Sequence, residues 1–258
     1  MKTGMGWVLS WSLVLMFACT EKKDTASKVD VAFTVKGVYG DQPLQMYNQN
    51  YPYEAGMKIR LQNFQFYLSD IVLLKESRDD ADSVKLTEIV LATFRDVQSL
   101  DAASNGLNFS FKNIPAGNYK GLRVGIGVAP RLNATSPNSY TPPHPLDDNY
   151  WSWALGYVFT KIEGNADIIG DGKFAEKLTF HIGGNDFYRK KTYFKDIVLQ
   201  PGAANHLQLK VDLRKVLALD SNQFVDFRKV TQDHINDKVL AKFIADNLVN
   251  ALEWQSPL

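Results

Sequence analysis

Val29-Asp30-Val31-Ala32-Phe33-Thr34-Val35-Lys36 alternates apolar Val29, Val31, Phe33 and Val35 with Asp30, Thr34 and Lys36, the period of a half-buried β-strand. Runs of aromatic and β-branched residues at 57–61, 64–74, 86–94, 107–111, 119–128, 157–162, 174–182, 193–199 and 206–213 read the same way. Turn chemistry separates them. Pro115-Ala116-Gly117-Asn118 punctuates one pair, Asp171-Gly172 another in the manner of a hairpin, and Pro201-Gly202 a third. Helical patterns of roughly 10–15 residues do not intervene, so the fold class expected is mainly β, an antiparallel β-sandwich rather than a doubly wound sheet. The chain then changes period. Val239, Leu240, Phe243, Ile244, Leu248, Ala251 and Leu252 recur at three- and four-residue steps, which predicts a C-terminal α-helix over 236–252 with Asn236 or Asp233 as its cap.

The opposite end reads as a targeting segment. After Lys2 the stretch 7–17 is apolar except for Ser10 and Ser12, too short for the about 20 helical residues that cross a bilayer of roughly 30 Å. Leu15-Met16-Phe17-Ala18-Cys19 places a small residue directly before the single cysteine, as a bacterial lipoprotein signal does. The plainer reading is an ordinary secretory signal in which Cys19 is incidental. The expected organisation is a signal peptide over 1–18, a polar tether over 19–28 carrying Glu21, Lys22, Lys23 and Asp24 after lipidated Cys19, and one domain over 29–258. Loss of Lys2 takes the formal charge of +1 to zero, and no run of lysine and arginine offers a nucleic acid an electrostatic footprint. The folded part has no thiol, which excludes an internal disulfide, a thiolate metal site and a cysteine nucleophile. A metal here would draw on imidazole, carboxylate, thioether or backbone oxygen.

Residues 131–149 have no strand or helix period and carry or adjoin Pro130, Pro137, Pro142, Pro143 and Pro145; loops this long are more often functional than decorative. They deliver His144-Pro145-Leu146-Asp147-Asp148-Asn149-Tyr150-Trp151-Ser152-Trp153, whose two tryptophans share a side if the chain is extended. Farther on, Leu178, Phe180 and Ile182 read as the core face of a strand, so His181 points away from it. His206 alternates with Leu207, Leu209 and Val211, which suggests a solvated strand face. Each feature has a duller account. A lone histidine in a β-protein is usually a surface or hydrogen-bonded side chain, tryptophans supply buried area, and two aspartates suit any polar loop. Asn165, Asp167 and Asp171 fail the spacing of a calcium-binding helix-loop-helix and read as a turn.

His144-Pro-Leu-Asp147, Tyr150-Trp151-Ser-Trp153, Gly156-Tyr157, Glu163-Gly164 and Phe180-His181-Ile-Gly183 together resemble the copper-binding MbnP-like family of secreted and lipid-anchored bacterial proteins. The resemblance extends over nearly all of the mature chain. One departure stands inside the strongest motif, where many relatives carry methionine and this chain has Asn149. The resemblance implies copper bound by histidines, with His144 and His181 first and His234 third. It also implies, in some members, a tryptophan oxidised to kynurenine as a further ligand, here Trp151 or Trp153, and a dihaem protein of the cytochrome c peroxidase class as oxidant. Asp147 is then a candidate outer-shell partner of a histidine. Imidazole suits copper, and Cu(II) heads the affinity order of its row. Intact indole is a poor ligand because its nitrogen lone pair belongs to the aromatic system; opening the pyrrole ring frees an amine and a carbonyl.

No nucleophile elbow, glycine-rich phosphate loop or His-Glu-x-x-His helix occurs, and an enzyme is not expected. The expectation is a lipid-anchored copper-binding protein of the bacterial envelope, at the outer membrane, acting in copper capture, storage or transfer. Two alternatives remain at the level of sequence: a surface carbohydrate- or protein-binding β-sandwich with Tyr150, Trp151 and Trp153 as a stacking platform, and a zinc site, which three imidazoles would also suit.

Overall fold

The computed structural model describes Met1 and residues 27–77, 82–152 and 155–255. The signal segment beyond Met1, residues 19–26 of the expected tether with Cys19, and Trp153 lie outside the described residues, and Lys28, expected in the tether, already opens the first strand. Among the described residues, sixteen strands run β1 Lys28–Tyr39, β2 Gln42–Pro43, β3 Asn50–Pro52, β4 Lys58–Leu74, β5 Val84–Thr93, β6 Leu107–Pro115, β7 Gly117–Tyr119, β8 Gly121–Ile126, β9 Tyr150–Ser152, β10 Gly156–Asp167, β11 Glu176–Gly183, β12 Arg189–Tyr193, β13 Ile197–Leu199, β14 His206–Asp212, β15 Gln232–Asp233 and β16 Leu252–Gln255. The helices are α1 Leu100–Asn105, α2 Pro130–Asn133, α3 Leu213–Leu217 and α4 Lys238–Ala251.

One sheet runs β16-β14-β1-β2, with β6 also on β1, a second runs β12-β8-β4-β10-β11-β15, with β3 and β5 on β4 and β9 on β10, and β13 pairs with β7 in a small two-stranded sheet. The class is mainly β with a C-terminal helix, as the alternation predicts. Pairing is mixed rather than wholly antiparallel, because β1 lies parallel to β14 and β11 parallel to β15. Val31, Phe33 and Val35 of β1 meet Phe64, Phe66, Ile162, Leu178 and Phe180 of the facing sheet in one buried cluster. Truncating a fully buried ring such as Phe180 would cost about 3–5 kcal/mol in lost transfer and cavity terms.

The long strand β4 explains why 57–61 and 64–74 read as two runs. Ile59 and Leu61 face the core, and so do Phe64, Phe66 and Leu68, so the alternation slips by one residue between them. The register against β10 shifts at that point, between Glu163 and Gly164. Such a bulge re-aims side chains. Here it turns Asn63 to the outer face, in line with Gln65 and Tyr67. That face carries its own small cluster, in which Tyr67, Tyr157 and Phe159 pack beneath Leu132 and Leu146 of the proline-rich segment.

Helix α4 starts two residues later than predicted, with Asp237 as its cap: the carboxylate accepts from the N–H groups of Val239 and Leu240. Asp233 instead organises the chain just before it. Ala241, Ile244, Leu248 and Ala251 are buried, whereas Val239, placed on the apolar face by spacing alone, is exposed. Among the described residues no helix is long and apolar enough to cross a membrane.

Candidate metal centre

Three strands of the second sheet present a polar strip outward. Asn63 of β4 lies opposite Glu163 of β10, which lies opposite Thr179 of β11; one step along, Gln65, Lys161 and His181 form the next row. His181 points out because Leu178, Phe180 and Ile182 take the inner face, and its ring is half-buried. Its Nε2 lies 2.6 Å from Glu163 Oε1. The bond to His181 holds the Glu163 carboxyl well below its ordinary range, at about 2, against the desolvation that opposes ionisation. Glu163 is therefore a carboxylate, which only accepts, so in a neutral ring His181 Nε2 carries the hydrogen.

His234 reaches the same place from 53 positions farther along the chain. Strand β15 runs parallel to β11, and the carboxylate of buried Asp233 accepts from the N–H groups of Ile235, Asn236 and Asp237. Ile235 sits at φ 67°, so the chain turns sharply just after His234. The His234 ring then lies over that of His181, with centroids 4.9 Å apart and planes 16° from parallel. Trp151, on β9 beside β10, stands edge-on to both: 5.6 Å from the His234 centroid at 76° and 6.3 Å from that of His181 at 87°.

Two imidazoles and an indole thus pack together. Glu163 occupies His181 Nε2 and leaves Nδ1 as the free lone pair, the arrangement in which an outer carboxylate sets the tautomer of a metal-binding histidine. Among the described residues no three His, Cys, Asp or Glu side chains gather at metal-ligating distance. The histidine lone pairs lie in the ring planes, and nearly parallel planes do not meet at a common ion. The donor set fits a metal that accepts two imidazoles, provided one ring turns. It falls short of the three or four protein ligands of zinc sites.

Other candidates stand differently. The His144 ring stacks on Tyr140, 4.1 Å between centroids and 9° apart, and its Nδ1 accepts from the Leu146 N–H. Asp147 and Asp148 are exposed, and the carboxylate that touches a histidine is Glu163 instead. His206 is half-buried, with Nε2 2.8 Å from the Thr34 hydroxyl, rather than on a bare solvated face. Asp167 accepts three backbone N–H groups, from Gly170, Asp171 and Gly172, which makes that cluster a turn. Trp153 lies outside the described residues.

Sequence reasoning missed the polar support. Asn63, Gln65 and Asn149 line up behind Glu163, and the one signal in the sequence is the slip in the alternation of β4. Asn149 is buried at φ 65° and hydrogen-bonded on both sides of its amide, to Gln65 and Tyr67. Asparagine tolerates that backbone better than methionine would.

The family model for MbnP matches residues 28–237. Among solved structures, MbnP from Methylosinus trichosporium matches with a TM-score of 0.49 at 16% identity, over 74% of this chain and 78% of that one. No curated protein matches the chain.

Proposed function

This chain belongs to the MbnP family, and on that premise we propose that it binds copper at the bacterial envelope, with His181 and His234 as imidazole ligands and Trp151 as the aromatic beside them. The convergence of these three rings, from strands β9 and β11 and the turn after β15, is the observation that carries the reading. Copper would supply a centre with strong affinity for imidazole. The residues do the rest. Glu163 keeps the proton of neutral His181 on Nε2, the Asp233 turn delivers His234, and the indole edge closes the side of the site next to both rings.

His144 is assigned to the packing of its own loop, where Tyr140 covers its ring. Trp151 becomes a donor only after its pyrrole ring is opened, and the oxidant proposed for that step is a dihaem partner of the cytochrome c peroxidase class. Lipid on Cys19 would tether the domain to the outer membrane for capture, storage or transfer of the metal. A platform for stacking sugars is less favoured, because Trp151 is half-buried with its ring edge-on to two histidines.

The test is metal analysis of the purified domain after loading with Cu(I) and with Cu(II) and exhaustive dialysis. Copper should be retained by the wild type and lost from the His181→Ala/His234→Ala double variant. Equal retention by both would remove these histidines from the site.

A further inference from the structure

The hydrogen bonds that lead to His181 admit one orientation of each side-chain amide. The Pro145 carbonyl can only accept, so the Tyr67 hydroxyl gives it its single hydrogen, at 2.6 Å. The Tyr67 oxygen then accepts from Asn149 Nδ2 at 3.0 Å, which turns Asn149 Oδ1 toward Gln65 Nε2 at 3.1 Å. That in turn points Gln65 Oε1 at Asn63 Nδ2, 3.4 Å away, and the second hydrogen of the same amide goes to Glu163 Oε2 at 3.2 Å. Glu163 Oε1 remains for His181 Nε2. Asn63 Oδ1 is buried with no hydrogen-bond partner among the described residues. Leaving a buried oxygen unsatisfied is costly. Flipping the amide would be worse, because it would set that oxygen against two acceptors. The orphan is the mark of an orientation imposed from both sides.

We propose that Glu163 is a positioning residue: at the end of this oriented chain, accepting from Asn63 on one oxygen and from His181 on the other, it holds neutral His181 with the proton on Nε2 and leaves Nδ1 as the lone pair that a metal ion takes. The proposal rests on the functional reading only in naming His181 a ligand. Its logic is sharpest in Glu163→Gln, which keeps the shape and replaces one oxygen by an NH₂ group. Asn63 still offers a hydrogen and attracts the new amide oxygen. The NH₂ group then faces His181 Nε2, which must accept, and the imidazole proton moves to Nδ1, the atom meant for the metal. Asn149→Gly removes the middle link while keeping a residue suited to positive φ. By itself it leaves His181 unchanged, because a carboxylate accepts on both oxygens. Combined with Glu163→Gln it frees Asn63 to turn and lets the proton return to Nε2.

The tautomer is read in metal-free protein with isotope-labelled histidine, by long-range nitrogen–proton NMR at an alkaline pH where imidazoles are neutral. Wild type and Asn149→Gly should be Nε2–H at His181, Glu163→Gln should be Nδ1–H, and the double variant should move back toward Nε2–H. Glu163→Ala gives a second reading that does not depend on the new amide: the two tautomers should mix. Copper competition should place Glu163→Gln about 10–100-fold weaker than wild type, the usual loss for an outer-shell partner, with partial recovery in the double variant. A His181 ring that stays wholly Nε2–H in Glu163→Gln and Glu163→Ala overturns the proposal. So does a flipped ring with unchanged copper affinity. Failure of the wild type to take up copper would defeat the functional reading alone, since the tautomer is measured without metal.

Discussion

The imidazole of His181 lies face to face with that of His234, centroids 4.9 Å apart and planes within 16°. Rings so arranged cannot both direct an in-plane lone pair at one ion, so metal binding requires one of them to turn. His181 is tied by Glu163 at 2.6 Å, whereas the His234 ring is followed by a tight turn and has ring contacts with His181 and Trp151. His234 is therefore the ring expected to move. NMR of labelled histidine should show the His234 ring signals shifting more than those of the His181 Nε2–H on loading with diamagnetic Cu(I). Each single alanine variant should weaken copper by roughly a hundredfold or more, above the about 10–100-fold range of outer-shell losses. Equal affinity in His234→Ala would exclude it as a ligand.

The Glu163 carboxyl titrates at about 2 in the folded protein against an ordinary 4.5, so its folded pKa lies below its unfolded one. For a group shifted in that direction the stabilisation is complete above the unfolded pKa and disappears as pH falls through the folded one. In metal-free protein the stability difference between wild type and Glu163→Gln should accordingly shrink as pH drops from about 4.5 to about 2. Denaturant melts across that window measure it, and a difference that is constant with pH would show that the pair does not contribute.

Asn149 combines a buried amide, hydrogen bonds to Gln65 and Tyr67, and a φ of 65°. Asn149→Met would strand the Gln65 and Tyr67 partners at about 1–3 kcal/mol and add about 1–2 kcal/mol of backbone strain. Asn149→Gly pays the first cost and not the second. Chemical denaturation should therefore rank wild type, then glycine, then methionine, and a methionine variant as stable as wild type would mean that the polar chain rearranges at no cost.

Strands were legible wherever one face is apolar and the other polar, as in β1 and in β11, where Leu178, Phe180 and Ile182 already turn His181 outward. Strand β12, Arg189-Lys190-Lys191-Thr192-Tyr193, went unread because only Tyr193 is buried and the rest has no apolar period. The parallel pairs β1–β14 and β11–β15 were beyond reach, since period two says which face is buried and not which strand lies beside it. For the same reason the site was legible only by resemblance. His181, His234 and Trp151 come together through the pairing of β9, β10, β11 and β15, and Asn63 reaches Glu163 across 100 positions of sequence.

Gly156 opens β10 at φ 74°, and a Cβ there would lie 2.2 Å from Asn133 Oδ1 and 2.6 Å from the Asn133 carbonyl. That asparagine accepts from the Tyr157 N–H and donates to the Leu155 carbonyl, which fixes the return of the chain from β9. Gly156→Ala combines positive-φ strain with displacement of this anchor, so a loss of about 2–4 kcal/mol is expected, beyond the typical effect of a point substitution. Because Trp151 sits on the strand being released, its fluorescence should shift in the folded variant; an unchanged spectrum and melting curve would show that the turn adapts elsewhere.

His144 carries the strongest motif and yet has a packing role of its own. Its ring lies flat on Tyr140 and its Nδ1 takes the Leu146 N–H, so one nitrogen is already committed to holding the loop over the Tyr67 cluster. Leu146 is fully buried in that cluster, and the adjoining Pro145 carbonyl receives the Tyr67 hydroxyl. His144→Ala should therefore lower stability by about 1–2 kcal/mol, through the lost stacking and the unsatisfied N–H, while copper affinity stays within a few-fold of wild type. Parallel thermal melts and copper competition separate the two effects. A loss of affinity as large as that of His181→Ala, with stability unchanged, would return His144 to the ligand set and require the loop to swing toward the stacked pair.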